Sequence, residues 1–216
     1  MAFFPSLQSY LDDLCGHPVA EERRAELSRL ADLLAARLRE HGHADLIFIC
    51  THNSRRSHFG QVWAQTLADH YGLKGLRTYS GGTEATACHP HTVRTLREAG
   101  FAVEAQDDSD NPRYRLCHGD DHAGMDLWSK VYTDPANPQR DFLAVMTCDS
   151  ANEACPVVLG AAERLPIMYQ DPKVADGTPE EAATYAARCR QIAAEMNWVM
   201  GRVRARLKEA ERGEAG

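Results

Sequence analysis

No stretch of this chain approaches the roughly 18 consecutive apolar residues that a membrane-crossing helix needs. The first ten residues, Met1 to Tyr10, carry neither the basic cluster nor the apolar run of a secretory signal. The expectation is a cytoplasmic protein without a membrane partner. An excess of positive charge is missing too. Lys and Arg number 24 against 31 Asp and Glu, a net charge of −7. That argues against nucleic acid or an anionic membrane as the main partner, but it leaves room for a local anion site. Apolar residues at 44% and charged residues at 25% exclude the disordered and fibrous classes. A chain of 216 residues suits one domain with additions, large enough to form a core without disulfide staples.

A disulfide framework is also not indicated. The cysteines are at 15, 50, 88, 117, 148, 155 and 189, an odd number in a chain read as cytoplasmic. Some are then core residues, and any special ones are catalytic or redox-active. Cys15 and Cys189 fall on expected helices and read as ordinary thiols.

Hydrophobic periodicity sets the architecture. Leu27, Leu30, Leu34 and Leu38 recur at helical steps within residues 6–41, and Pro18 divides a short helix from a longer one. Asp45–Cys50 is a continuous apolar run, the pattern of a buried parallel strand, and a helix follows over 59–71. A second strand over 76–80 stops at Gly81-Gly82. A helix over 90–99 ends at Gly100, and a third strand starts at 101–103. Residues 104–140 break the rhythm with Asp, Asn, Pro and Gly. They read as an insertion at the sheet edge, with short strands near 113–117 and 127–132. A buried strand at 142–147 follows. The final helix spans 179–209, with Ile192, Met196, Val199 and Val203 facing inward and 209–216 frayed. The expected fold class is α/β: a four-stranded parallel sheet flanked by helices. An N-terminal helical extension (1–43) precedes a main domain (44–212) that contains the insertion.

The strongest chemical signal is Cys50-Thr51-His52-Asn53-Ser54-Arg55-Arg56-Ser57. Between a buried strand and a helix, backbone N–H groups of such a loop can cradle a tetrahedral anion. The helix N-terminus adds positive potential, and Arg56 can grip two anion oxygens as a fork. The same field favours a thiolate at Cys50, with Ser57 as hydrogen-bond donor to the sulfur. Anion-binding candidates are thus Thr51, His52, Asn53, Ser54, Arg55, Arg56 and Ser57. His52 reads mainly as a loop filler and Asn53 as a loop former through side-chain to backbone bonds. The loop fits no nucleotide-binding fingerprint.

A second cysteine, Cys148, also ends a buried strand. Parallel strands share one carboxyl edge, so Cys148 can approach Cys50. Cys155-Pro156 follows seven residues on. If 148–155 is helical, its ends are about 10.5 Å apart. A disulfide needs Cα atoms within about 7 Å, so bonding would require that segment to unwind.

The set Cys50-x5-Arg56-Ser57, Ser80-Gly81-Gly82-Thr83 and Asp171-Pro172 resembles the low-molecular-weight protein tyrosine phosphatase superfamily over about residues 44–200. The resemblance implies that Asp171 is the general acid. Read alone, Asp171-Pro172 is only one of two Asp-Pro pairs, and most such pairs are turns. The segment Thr147–Pro156 resembles the thioredoxin-coupled arsenate reductase branch. That implies attack by Cys148 on an arsenylated Cys50 and resolution by Cys155, with thioredoxin as a partner. Arg55 stands where many relatives carry a second loop cysteine. Gln61 stands where the reductase branch often has a cation-binding Glu, so no cation is expected there. Asn111-Pro112, Ser129–Tyr132 and Asn137-Pro138 resemble a bacterial subgroup described as tyrosine phosphatases.

Two functions therefore stand side by side: an arsenate reductase with a Cys50/Cys148/Cys155 relay, and a phosphatase acting on phosphotyrosine or aryl phosphates with a protective cysteine pair. A non-catalytic phosphate-sensing domain is the third. No cofactor is expected. The Cys88-His89-Pro90-His91 and Cys117-His118-x3-His122 runs lack paired zinc spacing and read as solvated or helix-capping histidines, with no metal. Tyr114, Trp128 and Tyr132 are candidate walls of a substrate cleft.

Overall fold

The structure, a computed structural model, describes residues 2–14 and 16–214. The reading of Cys15 falls outside the described residues. Helix α1 (Pro5–Leu14) and helix α2 (Glu21–His41) are separated by the extended segment around Pro18. The leucine stripe of α2 is buried as its period demands, at Leu27, Leu30, Leu34 and Leu38. Gly42 ends α2 at φ +70°, where its N–H bonds the Leu38 carbonyl, a conformation glycine adopts without strain.

The central sheet has four parallel strands in the order β2 (Leu76–Gly82), β1 (Ala44–Cys50), β6 (Phe142–Met146), β7 (Ala161–Pro166). Strands β1 and β6 are central and buried along their whole length, which is why they read as unbroken apolar runs. Helix α3 (Arg56–His70) leaves the end of β1, α4 (Pro90–Glu98) follows β2, and α6 (Glu181–Glu214) packs against α2, α3 and α4. Ile192, Met196, Val199 and Val203 face the core as their spacing predicts. The helix continues through Glu214 instead of fraying from 209; residues 215 and 216 lie outside the described residues.

Two strand expectations are corrected. The strand after Gly100, β3 (Ala102–Ala105), does not join the parallel sheet. It pairs with β4 (Tyr114–Cys117), which pairs with β5 (Met125–Leu127), as a separate antiparallel sheet. Only Val103 of β3 is buried, the one-sided burial typical of antiparallel edges. The fourth parallel strand is instead β7. Its sequence, Ala-Ala-Glu-Arg-Leu-Pro, carries two charged residues and only one buried one because it is an outer strand.

Gly81 and Gly82 also do not stop β2; they are its last two residues. A Cβ at Gly81 would meet Tyr132 Cα at 2.4 Å, and one at Gly82 would meet the Thr51 carbonyl oxygen at 2.6 Å. These glycines let two backbones approach β2: the segment carrying Tyr132, which bridges at Gly82–Val131, and the loop after β1. The insertion thus docks on the sheet edge beside that loop.

Candidate active site

The carboxyl edge of the sheet gathers the candidate residues. Ile49 pairs with Met146, and the Thr147 N–H and hydroxyl both donate to the Ile49 carbonyl, at 2.8 and 2.9 Å. Cys50 and Cys148 thereby leave adjacent strands at the same level. Both are buried in one apolar cluster.

Between Cys50 and Arg56 the carbonyls are turned outward. The Cys50 carbonyl accepts from Thr83 N–H at 3.1 Å, that of Thr51 from Glu84 N–H at 2.9 Å, and that of Ser54 from His89 N–H at 3.0 Å. The His52 carbonyl accepts from the Ser129 hydroxyl at 2.8 Å. In a trans peptide the N–H points opposite to the carbonyl. The N–H groups of Thr51, His52, Asn53 and Arg55 therefore face the loop interior, the geometry of an anion cradle at a helix N-terminus.

Asn53 makes the turn at φ +45°, a left-handed conformation that Asn tolerates. Its side chain is buried and spans the loop. The carboxamide oxygen accepts from Lys130 N–H at 3.0 Å, and its NH₂ donates to Ser57 Oγ at 2.9 Å. Ser57 Oγ lies 3.1 Å from Cys50 Sγ. Because Ser57 Oγ already accepts from Asn53, its own proton is free to donate to the sulfur. The loop-forming role read for Asn53 thus extends to the orientation of Ser57.

Arg56 is only 12% exposed at its side chain. It donates to the Tyr169 carbonyl at 2.9 Å and to Asp171 Oδ2 at 2.5 Å. Asp171 also caps a short 3-10 turn (Pro172–Ala175) by accepting from Lys173 N–H at 3.1 Å. Cys148 Sγ lies 3.5 Å from Thr51 Oγ1 and accepts from Ala151 N–H at 3.4 Å, so it caps helix α5 (Asp149–Ala154). Cys155 is half-buried at the far end of α5. The helical case considered from the sequence holds for Asp149–Ala154, while Cys148 and Cys155 flank α5 as its two caps in non-helical conformations.

Not every candidate faces the loop interior. The Arg55 side chain leaves it and donates to Tyr185 Oη at 2.6 Å and to Asp176 at 3.1 Å, so only its backbone N–H faces the loop interior. The His52 ring is exposed, 3.7 Å from Glu84. Of the aromatic wall candidates, Tyr132 packs against the Cys50 cluster, Tyr114 packs on the main core, and Trp128 carries Arg113 and Lys130 over its ring.

Sequence reading missed His58, which is fully buried beneath the loop with Nδ1 at 3.3 Å from Ser80 Oγ. Burial, helped by the Lys130 charge, holds this imidazole down at about 3. Burial likewise lowers Lys130 to about 8 and pushes the Cys88 and Cys189 thiols up to about 12, which leaves those two cysteines inert. The histidines outside the loop are partly corrected. His89 does cap α4, accepting from His91 N–H. His118, however, is wholly buried and His122 mostly so; neither is a solvated side chain.

The model of the family described as low molecular weight phosphotyrosine protein phosphatase matches residues 45–114, from β1 and the anion loop to the start of β4. An arsenate reductase of Bacillus licheniformis is 28% identical over 146 residues, covering 67% of this chain and 86% of that protein. An arsenate reductase of Bacillus subtilis is 27% identical over the same coverage. Over β1, the loop after it and the segment up to β4, the chain is thus similar to the low-molecular-weight protein tyrosine phosphatase superfamily. Among solved structures, an arsenate reductase from Archaeoglobus fulgidus is similar at 18% identity and a TM-score of 0.44, covering 72% of this chain and 98% of that one. A low-molecular-weight protein tyrosine phosphatase from T. tengcongensis is similar at 16% and 0.46, covering 77% and 99%. No helix among the described residues is long and apolar enough to cross a membrane.

Proposed function

We propose that this protein is a member of the low-molecular-weight protein tyrosine phosphatase superfamily and a cysteine-thiolate enzyme acting on tetrahedral oxyanions, an arsenate reductase in which Cys50, Cys148 and Cys155 act in sequence. The observation that carries this reading is the placement of Cys148 beside Thr51 at the mouth of the Cys50 loop. Cys50 attacks the anion held by the loop N–H groups and Arg56. Asp171, hydrogen-bonded to Arg56, protonates the departing oxygen. Cys148 then attacks the Cys50 sulfur, forming a Cys50–Cys148 disulfide and releasing arsenite with the electron pair of the broken S–As bond. Cys155 attacks Cys148, frees Cys50 and leaves a Cys148–Cys155 disulfide. A dithiol reductant of the thioredoxin class takes up that disulfide and supplies the two electrons. The arsenate reductase names of the curated relatives support the reading.

One observation favours the second reading, a phosphatase acting on phosphotyrosine or aryl phosphates. The helical α5 keeps Cys148 and Cys155 apart, whereas Cys50, Arg56 and Asp171 by themselves suffice to transfer and hydrolyse a phosphoryl group. One preparation assayed with an aryl phosphate, and with arsenate plus thioredoxin and its reductase, separates them. Thioredoxin-dependent arsenate turnover is the expected result. Aryl-phosphate hydrolysis without it makes the protein a phosphatase, with the cysteine pair protective.

A further inference from the structure

At the far end of α3 from the anion loop, a second constellation forms that the reaction does not use. Asp69 comes from the last turn of α3, His118 directly follows β4, and His122 lies in the turn leading to β5. Their side chains converge. Asp69 Oδ2 is 3.5 Å from His118 Nε2 and 3.2 Å from His122 Nε2, and all three atoms lie within 4.8 Å of one another. The His118 ring is 0% exposed. Its Nε2 and Asp69 Oδ2 are both buried without an aligned hydrogen bond.

A buried ring nitrogen without a hydrogen-bond partner, facing a carboxylate oxygen, is costly in a protein interior. The other ring nitrogen of His118 approaches Thr66 Oγ1 at 3.4 Å. A His118 that donates there turns the Nε2 lone pair onto the lone pairs of a carboxylate oxygen. Something positive is called for between them.

We propose that Asp69, His118 and His122 bind one divalent transition-metal cation of the zinc class, a structural site that clamps the antiparallel sheet to α3. Zinc–nitrogen and zinc–oxygen bonds near 2.1 Å make the edge of a tetrahedron about 3.3–3.4 Å. The two separations from Asp69, 3.2 and 3.5 Å, bracket that edge. Two imidazoles and a carboxylate suit a borderline cation, and water can take the fourth position. Thr66 is the outer-shell partner that would orient His118. The carboxyl end of α3 adds negative potential.

Metal-free, Gly124 N–H donates to His122 Nδ1 at 3.0 Å, which puts the His122 proton on Nε2 toward Asp69. Loading moves that proton to Nδ1 and frees Nε2 for the cation. The Gly124 N–H gives up its bond, in a turn where the glycine at φ +76° can reorient. The other histidine–carboxylate cluster, His91, Asp176 and Glu181, carries no such vacancy of charge, since Arg55 and Arg94 already lie on its carboxylates.

The site is independent of the proposed reaction. Arg56 and Asp69 are separated along α3 by about 20 Å of helix rise. The test is Co²⁺ titration of reduced, metal-free protein, followed by visible absorption, beside thermal unfolding with and without Zn²⁺. Equimolar Co²⁺ with tetrahedral bands and no thiolate-to-metal charge-transfer band is expected. Zn²⁺ at a hundredfold excess over its Kd should raise Tm by about 5–10 °C. Both effects should vanish in His122→Ala and in the isosteric Asp69→Asn, each checked for folding by circular dichroism. Aryl-phosphate turnover should be unchanged by a chelator at a temperature where the metal-free protein is folded. Absence of binding, a thiolate band that places the metal on Cys50, Cys148 or Cys155, or equal binding by either folded variant overturns the site.

Discussion

Cys50 is addressed by a chain of side chains, each fixed by the next: Lys130 N–H on Asn53, Asn53 on Ser57, Ser57 on the sulfur. Replacing the sulfur by a hydroxyl removes the nucleophile that the proposed reaction requires. Cys50→Ser should therefore lose at least about 10³-fold in either activity, roughly 4 kcal/mol of barrier. Arg56→Lys should be similarly severe, because a point charge cannot replace a two-pronged donor. Ordinary turnover by Cys50→Ser excludes this site. His58 gives a separate prediction in stability. The unfolded chain protonates His58 as pH falls through about 6.5, while the folded chain resists until about 3. Its contribution is thus complete above pH 6.5 and is lost between 6.5 and 3, by about 2 kcal/mol at pH 5. Urea unfolding of His58→Gln should show a drop from pH 7 to pH 5 that is smaller by this amount. An unchanged drop would mean that His58 titrates normally in the fold.

Among the elements, legibility followed burial. β1 and β6 are covered on both faces, so each was plain as an apolar run ending in a cysteine. β7 was missed because an outer strand can carry Glu163 and Arg164, and Glu163 in fact pairs with Arg29 on α2. β3 was placed in the wrong sheet because four residues with one buried side chain carry no information about their partner. In the candidate site, the loop was legible because Cys50, the loop backbone and the start of α3 are contiguous in sequence. His58, Ser129 and Lys130 were not, since what they do depends on which backbone lies against them. Helix α5 is where element and function meet. A Cys148–Cys155 disulfide must break the Asn152 N–H bond to the Cys148 carbonyl and the Cys155 N–H bond to the Ala151 carbonyl, each 3.0 Å long. Oxidised protein should show this disulfide by peptide mapping, with faster amide exchange at Asn152 and Cys155 than in the reduced form. Protection unchanged on oxidation means that α5 stays wound and the pair does not form. Cys148→Ser and Cys155→Ser should abolish multiple-turnover arsenate reduction while leaving aryl-phosphate hydrolysis within about tenfold, or 1.4 kcal/mol.

Taken as a whole, the molecule uses its first two helices as a wall of the main core beneath α3 and α6, a cluster separate from the one that buries Cys50 and Cys148. Leu7, Leu11, Leu14, Leu27, Leu30, Leu34 and Leu38 are all buried in the main apolar cluster. At roughly 2 kcal/mol for each buried leucine, the seven contribute about as much as the 5–15 kcal/mol by which a domain is stable at all. The coupling to chemistry runs through one buried carboxylate. Glu195 on α6 accepts from Arg23 Nε and Nη2 on α2, at 3.1 and 2.9 Å, and from the Tyr169 hydroxyl at 2.7 Å. The carbonyl of that same Tyr169 holds Arg56. Arg23→Ala leaves Glu195, almost fully buried, without its cation and should cost roughly 3 kcal/mol. Adding Glu195→Gln, which no longer needs a cation, should restore a large part of that loss, and the urea midpoints of the single and double variants measure it. Removal of residues 1–43 strips the leucine wall and the cation together. The remaining chain should not unfold cooperatively, and it should show no turnover even though every residue assigned to the chemistry is retained. A cooperative transition of the shortened chain near the parent's midpoint would show instead that the two helices are an appendage, and that the Arg23–Glu195 pair does not reach the anion loop.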